Sequence, residues 1–340
     1  MPAEWEPQAA VWMSWPYNLI TWEDHLAGAE KAFVEIIEIL TRHERVNLLV
    51  PNPKVRARAE KKLAKAKIKK SNLKIHDIES GDVWFRDYGP LFIVKNKPGL
   101  RARGTSGKAF TKWSYNAYGG KYDDLLIGNE VPNKMPLKDY ERFDAGIILE
   151  GGSIDVNGTG TLITTESCLL SKDRNPHLTK KEIEQKIKDY LGVTNILWLL
   201  EGIEGDDTTG HVDDLTRFVD RSTVVTVVEE DETDANYKSL MENAKRLRFM
   251  KDERGERLKV VTLPMPKPFY VGDRRMAASY ANFLIANGVV LVPIYNQPSD
   301  EEALKTLTKC FPDREVIGID CCELIFGYGS IHCASMQEPR

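Results

Sequence analysis

Apolar positions recur along this chain in two alternating periods. Phe33, Ile36, Ile37 and Leu40 fall at i, i+3, i+4 and i+7, which lines one face of a helix, and Val46 to Val50 follows as a short apolar strand closed by Pro51. The same order returns twice. Thr223 to Val228 reads as a strand, Asp234 to Arg246 as a helix opened by an Asp N-cap, and Leu258 to Leu263 as a second strand. Val289 to Val292, Glu301 to Cys310 and Val316 to Ile319 repeat it. A further helix, Lys180 to Leu191, buries Ile183, Ile187 and Leu191, stops at Gly192 and precedes the strand Ile196 to Leu200. Val55, Ala59, Leu63 and Ala66 give Lys54 to Lys70 a helical apolar stripe. Arg101 to Tyr122 lacks a clear period and reads as a long loop. Strand and helix units of similar length define an α/β class. No Pro, Gly or Ser-rich linker divides them, so residues 1–340 are expected to form one domain.

Composition narrows the class of function. With 42% hydrophobic and 29% charged residues in 340, the chain has ample material for a core. A formal charge of -4 argues against nucleic acid as a partner. The basic stretch Lys54 to Lys70 is expected to be a solvated helix face. The longest apolar run, Phe283 to Ile294, is interrupted by Asn287 and Gly288, so no membrane span is expected. Five cysteines without a C-x-x-C pair indicate neither a disulfide framework nor a zinc site, and with the absence of a signal peptide they favour the cytoplasm. Self-association is left open by the sequence.

Four segments set Asp, Glu, His and Cys among glycines. They are Asp82 to Pro90, Leu149 to Ser153, Gly205 to Asp213 and Gly327 to Cys333. Glycine allows tight turns and close approach to a ligand, so these polar side chains are expected on functional loops. Cys333, after a Gly-x-Gly turn, is the candidate nucleophile. His332 beside it would point to the opposite face of an extended segment, which makes it a poor partner. His211 and Asp213, two apart, would share a face and pair a proton carrier with a fixed negative charge. Asp87, Glu150, Asp213 and Asp207 supply more carboxylate than a neutral ligand could balance. A guanidinium would balance it: the ion is planar, stays charged, and offers forked donors that match carboxylates.

Taken together these motifs resemble the agmatine deiminase and bacterial-type peptidylarginine deiminase family of the guanidino-modifying (pentein) superfamily. The resemblance runs from Trp15-Pro16 through Trp84-x-Arg86-Asp87-x-Gly89-Pro90, Leu149-Glu150-Gly151-Gly152-Ser153, Arg174-Asn175-Pro176-His177, Gly210-His211-Val212-Asp213 and Tyr280-x-Asn282-Phe283 to Ile331-His332-Cys333. It implies a five-bladed, pseudo-symmetric α/β propeller of ββαβ units with the site on its axis. It also implies Cys333 as nucleophile, His211 as acid and base, Asp87 and Asp213 as the clamp on the guanidinium, and Glu150 as the residue that orients His211. The substrate would be a small guanidinium compound such as agmatine, placing the protein in polyamine metabolism on the way to putrescine, and no metal or organic cofactor is implied.

Trp84 and Tyr88 flank Asp87 and, with Arg86, Asp207 and Trp22, are candidates to line the substrate. The departures from the family pattern lie beside the nucleophile. Gly327-Tyr328-Gly329-Ser330 stands where agmatine deiminases usually carry Gly-Gly-Gly-Asn, and Ala334-Ser335-Met336-Gln337 replaces Ile-Thr-Gln-Gln. The alternatives are therefore deimination of arginine or peptidyl-arginine, and a silent protein that binds an amine or a partner.

Overall fold

A computed structural model describes residues 1–95 and 107–340. Five small sheets share one internal plan. In each, a first strand pairs antiparallel with a second, and the second pairs parallel with a third. Leu91–Val94, Lys108–Ser114 and Glu141–Ile148 form one. Ile154–Val156, Thr161–Thr165 and Asn195–Leu199 form the next. Thr216–Phe218, Thr223–Val228 and Lys259–Pro264 follow, then Leu284–Ala286, Val289–Ile294 and Glu315–Asp320. The fifth joins the chain ends. Ser335–Pro339 runs antiparallel to Gln8–Ser14, which pairs parallel with Arg45–Val50, and Leu73–Asp77 adds a fourth strand.

A parallel step needs a crossover, and helices provide it. Leu26–His43, Lys180–Leu191, Tyr237–Phe249 and Ser299–Cys310 each connect a second strand to its third. The helix Leu26–His43 buries Phe33, Ile36, Ile37 and Leu40, the stripe read from the sequence. The second strands Thr223–Val228 and Val289–Ile294 are nearly continuous apolar runs covered on both sides, and Thr161–Thr165 is buried throughout. The bounds of Lys180–Leu191 match the sequence reading because both stops are chemical. Thr179 and Glu182 form a reciprocal capping box, and Gly192 closes the helix at φ 70°.

Three expectations change. The helix begun at Asp234 starts instead at Tyr237, because Asp234 pairs with Arg275 at 2.7 Å and accepts from the Asn236 amide. The basic helix is Pro53–Leu63, shorter than Lys54 to Lys70, and it buries Val55, Ala59 and Leu63. The loop read from Arg101 to Tyr122 lies outside the described residues up to position 106. Beyond it the chain forms the strand Lys108–Ser114, whose buried Phe110, Thr111 and Trp113 alternate imperfectly with lysines. Among the described residues, no helix is long and apolar enough to cross a membrane.

The repeat also explains where the chemistry gathers. The turn before the first strand of each sheet carries one functional motif. Asp87 precedes Leu91–Val94, Glu150 precedes Ile154–Val156, and Asp213 precedes Thr216–Phe218. Asn282 precedes Leu284–Ala286, and Cys333 precedes Ser335–Pro339. Five motifs scattered over 340 residues thus occupy equivalent positions in five units.

Candidate active site

Cys333 lies at a cavity of about 180 Å³ whose wall also includes Trp84, Asp87, Tyr118, Asp207, Thr208 and Tyr328. Its thiol is held by Asn282. The Asn282 amide nitrogen donates to Sγ at 3.0 Å and to Asp214 Oδ1 at 2.9 Å, while its Oδ1 accepts from the backbone amides of His332 and Cys333. Asp213 Oδ2 lies 3.6 Å from Sγ. Burial, then Asp213, Asp214 and Asp87, push the Cys333 thiol well above its ordinary value. Without a ligand Cys333 is therefore a thiol facing negative charge.

Asp213 is held as a carboxylate. Burial opposes this, but the His332 imidazole bonds Oδ2 at 2.7 Å and lowers its pKa. Its other oxygen, Oδ1, is buried without a hydrogen-bond partner. Asp87 accepts from the Gly152 amide at 3.0 Å and from the Tyr118 hydroxyl at 2.8 Å. Burial first, with Asp213 and Glu150 adding repulsion that His211 only partly offsets, pushes Asp87 up to about 6. Tyr118, at φ 60°, occupies a left-handed conformation that a non-glycine residue rarely adopts, and so aims its hydroxyl at Asp87.

His211 is fully buried, with Nδ1 3.6 Å from Asp87 Oδ1. Burial disfavours the imidazolium, yet Asp87, the Cys168 thiol and Asp213 together raise its pKa well above the usual histidine value. Neither ring nitrogen has a hydrogen-bond partner. Glu150 does not bond to His211. Its Oε1 instead accepts from Arg174 at 3.1 Å, and Oε2 is left buried and unpaired, with a Glu150 oxygen, a His211 nitrogen and Cys168 Sγ within 4.8 Å of one another. Arg174 also donates to Thr208 O and Thr209 Oγ1, tying Glu150 to the turn that carries His211. Buried polar atoms are normally satisfied, so unpaired oxygens and nitrogens on Glu150, His211 and Asp213 mark the place a ligand would complete.

The structure brings Cys333, His211, Asp87, Glu150 and Asp213 together, and Trp84 and Asp207 reach the cavity wall. Arg86, Tyr88 and Trp22 do not reach it. Arg86 is buried and holds the Cys333 turn from behind, donating to Gln337 at 2.7 Å and, through its backbone amide, to Cys333 O at 3.1 Å. Tyr88 bonds Ser14 and the Asp82 carbonyl, and Trp22 bonds Asp82 while packing behind Trp84 with ring centroids 5.9 Å apart. The glycines at 327 and 329 serve close approach. A Cβ at Gly329 would stand 2.5 Å from Trp84 Cζ3, and one at Gly327 would stand 2.5 Å from Trp22.

His332 requires correction. Residues 330 to 334 turn rather than extend, with the Ala334 amide donating to Ser330 O, so His332 and Cys333 both face Asp213. The other ring nitrogen of His332 meets Glu4, a buried carboxylate that also pairs with Arg217 at 2.7 Å. Glu4, Asp214 and Tyr118 carried no signal in the sequence reading, and Asn282 and Arg174 carried one only as parts of motifs.

A buried thiol with a histidine and several carboxylates gathered about it, at a cavity that Cys333 and Asp87 line, defines a thiol-dependent enzyme built for a cationic ligand. The comparisons agree. The Porphyromonas-type peptidyl-arginine deiminase family matches residues 1–339, and the chain belongs to that family. It is 35% identical to an agmatine deiminase of Medicago truncatula, covering 100% of this chain and 96% of that protein. It is 36% identical to an agmatine deiminase of Stutzerimonas stutzeri, covering 100% and 95%. The structure of Enterococcus faecalis agmatine deiminase superposes with a TM-score of 0.91 at 32% identity, covering 100% of this chain and 95% of that one.

Proposed function

We propose that this protein hydrolyses agmatine to N-carbamoylputrescine and ammonia through a covalent intermediate on Cys333. The five like sheets are read as five blades of one propeller domain, with the five motif turns meeting at its axis. The observation that carries the reading is a buried Cys333 whose Sγ lies 3.6 Å from the Asp213 carboxylate, with burial first and the neighbouring acids after it holding the group as a thiol. A bound cation offsets both the burial and the facing negative charge and so favours the thiolate, which lets the substrate activate its own attacker.

Asp213 and Asp87 hold the guanidinium nitrogens so that the central carbon faces Sγ. With the cation bound, the thiol releases its proton to solvent, and the thiolate sulfur attacks the central carbon to form a neutral tetrahedral adduct. His211, already an imidazolium, donates a proton to the departing nitrogen, the C–N bond breaks and ammonia leaves. Neutral His211 then takes a proton from water, which adds to the S-alkylthiouronium carbon. The second adduct then collapses with loss of the sulfur, which takes up the hydroxyl proton as the thiol re-forms, leaving a neutral ureido product and His211 again an imidazolium. This sequence asks for neither a metal nor an organic cofactor.

Ammonia and ureido-product formation from agmatine, free arginine and an arginine-terminated peptide tests the reading. Turnover of agmatine in clear preference to both others is expected; preference for either arginine compound would reassign the substrate, and turnover of none would refute the enzyme. His211→Ala should lower kcat by about 10² to 10⁴, the range for acid and base assistance. A near-normal kcat in that variant would remove His211 from the mechanism.

Asp87 gives a pH signature. A carboxyl raised to about 6 is largely protonated below that pH and cannot pair with a guanidinium, which stays charged throughout. In Cys333→Ala protein, where the thiol cannot titrate, agmatine binding followed by calorimetry should tighten as pH rises through about 6 and then level off. A flat profile from pH 5 to 8 would mean that Asp87 does not meet the cation.

A further inference from the structure

The outer part of the cavity carries an ion pair that the mechanism leaves unused. Asp207, Arg274 and Tyr328 all line the same cavity as Cys333. Arg274 sits on the ribbon formed by Tyr270–Val271 and Arg274–Arg275. Its guanidinium lies 3.8 Å from the centroid of the Tyr328 ring and pairs with Asp207 Oδ1. Oδ2 of the same carboxylate accepts from the Tyr122 hydroxyl, so both oxygens of Asp207 are engaged. Lys121 adds a second positive charge by donating to the Asp207 carbonyl. Asp124, the other acid of the outer wall, accepts from Asn18 at 2.7 Å.

Position 328 is costly to fill this way. Tyr328 is left-handed at φ 74°, a conformation that favours glycine, between two glycines pressed against Trp84 and Trp22. The strain places an aromatic face under Arg274, where a planar cation stacks well. Arg274 is thus held at a carboxylate of the cavity that Cys333 lines, an acceptor for an ammonium at the far end of a guanidine chain.

We infer that Arg274 is a specificity-determining residue that competes with the tail ammonium of the substrate for Asp207. Guanidines with an uncharged tail bind without disturbing the pair. Agmatine must displace Arg274 or share Asp207 with it, and like charges in a partly buried mouth repel. The inference rests on the agmatine reading for the identity of the tail.

The test measures calorimetric binding of agmatine and n-butylguanidine, which share the guanidinium and chain and differ in the terminal amine. Both are titrated into Cys333→Ala protein with Arg274 intact and with Arg274→Gln added. Arg274→Gln should shift the affinity ratio toward agmatine by about tenfold, through tighter agmatine binding and nearly unchanged n-butylguanidine binding. Tyr328→Gly, which removes the stacking face and the strained φ together, should shift the ratio in the same direction. An unchanged ratio, or one that moves toward n-butylguanidine, overturns the inference. Binding of both ligands without turnover by the intact enzyme would defeat the agmatine reading alone, whereas binding of neither would defeat both.

Discussion

Asp213→Asn is expected to lower kcat/KM for agmatine by about 10² to 10⁴ while the protein stays folded. Asparagine keeps the size of the side chain and can still accept from His332, so the loss is chiefly one of charge. Removing one member of a buried charge pair costs about 3 to 5 kcal/mol. Each ~1.4 kcal/mol is a factor of about ten in rate, which gives the range stated. The pairing is desolvated here because Asp213 is fully buried and its Oδ1 has no other partner. Steady-state kinetics with a thermal melt alongside would check it. A change under fivefold, or a loss explained by unfolding, would remove Asp213 as the guanidinium clamp.

Gly152→Ala should be nearly as damaging, for a steric reason. A Cβ at this position would stand 2.6 Å from His211 Nδ1, 2.9 Å from Asp87 Oδ1 and 3.0 Å from Asp213 Oδ2. One methyl group therefore presses on the acid and on both clamps at once. The same residue also donates its amide to Asp87, a bond that would shift with the backbone. Displacing reacting groups by about 1 Å costs about 10² in rate, so kcat should fall at least that far. Addition of a methyl elsewhere in the same turn does not give a parallel test, since a Cβ at Gly151 would stand 2.2 Å from the Arg86 carbonyl oxygen and would disturb the fold itself. Full activity in Gly152→Ala would show that the three side chains need not meet as they do here.

Much of this site could be read from residue order, and the reasons for the exceptions are physical. Cys333, His211, Asp87, Glu150 and Asp213 each sit in a turn with glycine or proline neighbours, a local signal that survives without knowledge of the fold. What residue order could not show is the set of contacts made across the chain. Glu4 reaches His332 over 328 positions, and Tyr118 reaches Asp87 from a segment with no periodicity at all. Sequence adjacency puts Arg86 and Tyr88 beside Asp87, but the short helix Phe85–Tyr88 turns their side chains toward the Cys333 turn and Ser14 instead. An extended backbone would turn His332 away from Cys333's face, and the turn at 330 to 334 reverses that geometry.

The strand and helix readings followed the same rule. Where a stop is chemical, as at Thr179 and Gly192, sequence and structure agree on the residue. Where a capping candidate has a stronger distant partner, as Asp234 has in Arg275, the boundary moves. The strand Lys108–Ser114 has a weak local signal because three of its seven residues are lysine or serine, and its pairing with Leu91–Val94 and Glu141–Ile148 decides its conformation.

The central claim is that Cys333 becomes covalently joined to the substrate carbon. Acid-quenched samples taken during agmatine turnover, digested and examined by mass spectrometry, test it most directly. The peptide containing Cys333 should carry the mass of agmatine less ammonia, and His211→Ala should accumulate that adduct if its loss slows hydrolysis of the thiouronium more than its formation. An unmodified Cys333 throughout turnover, together with ammonia release by Cys333→Ala, would contradict the account.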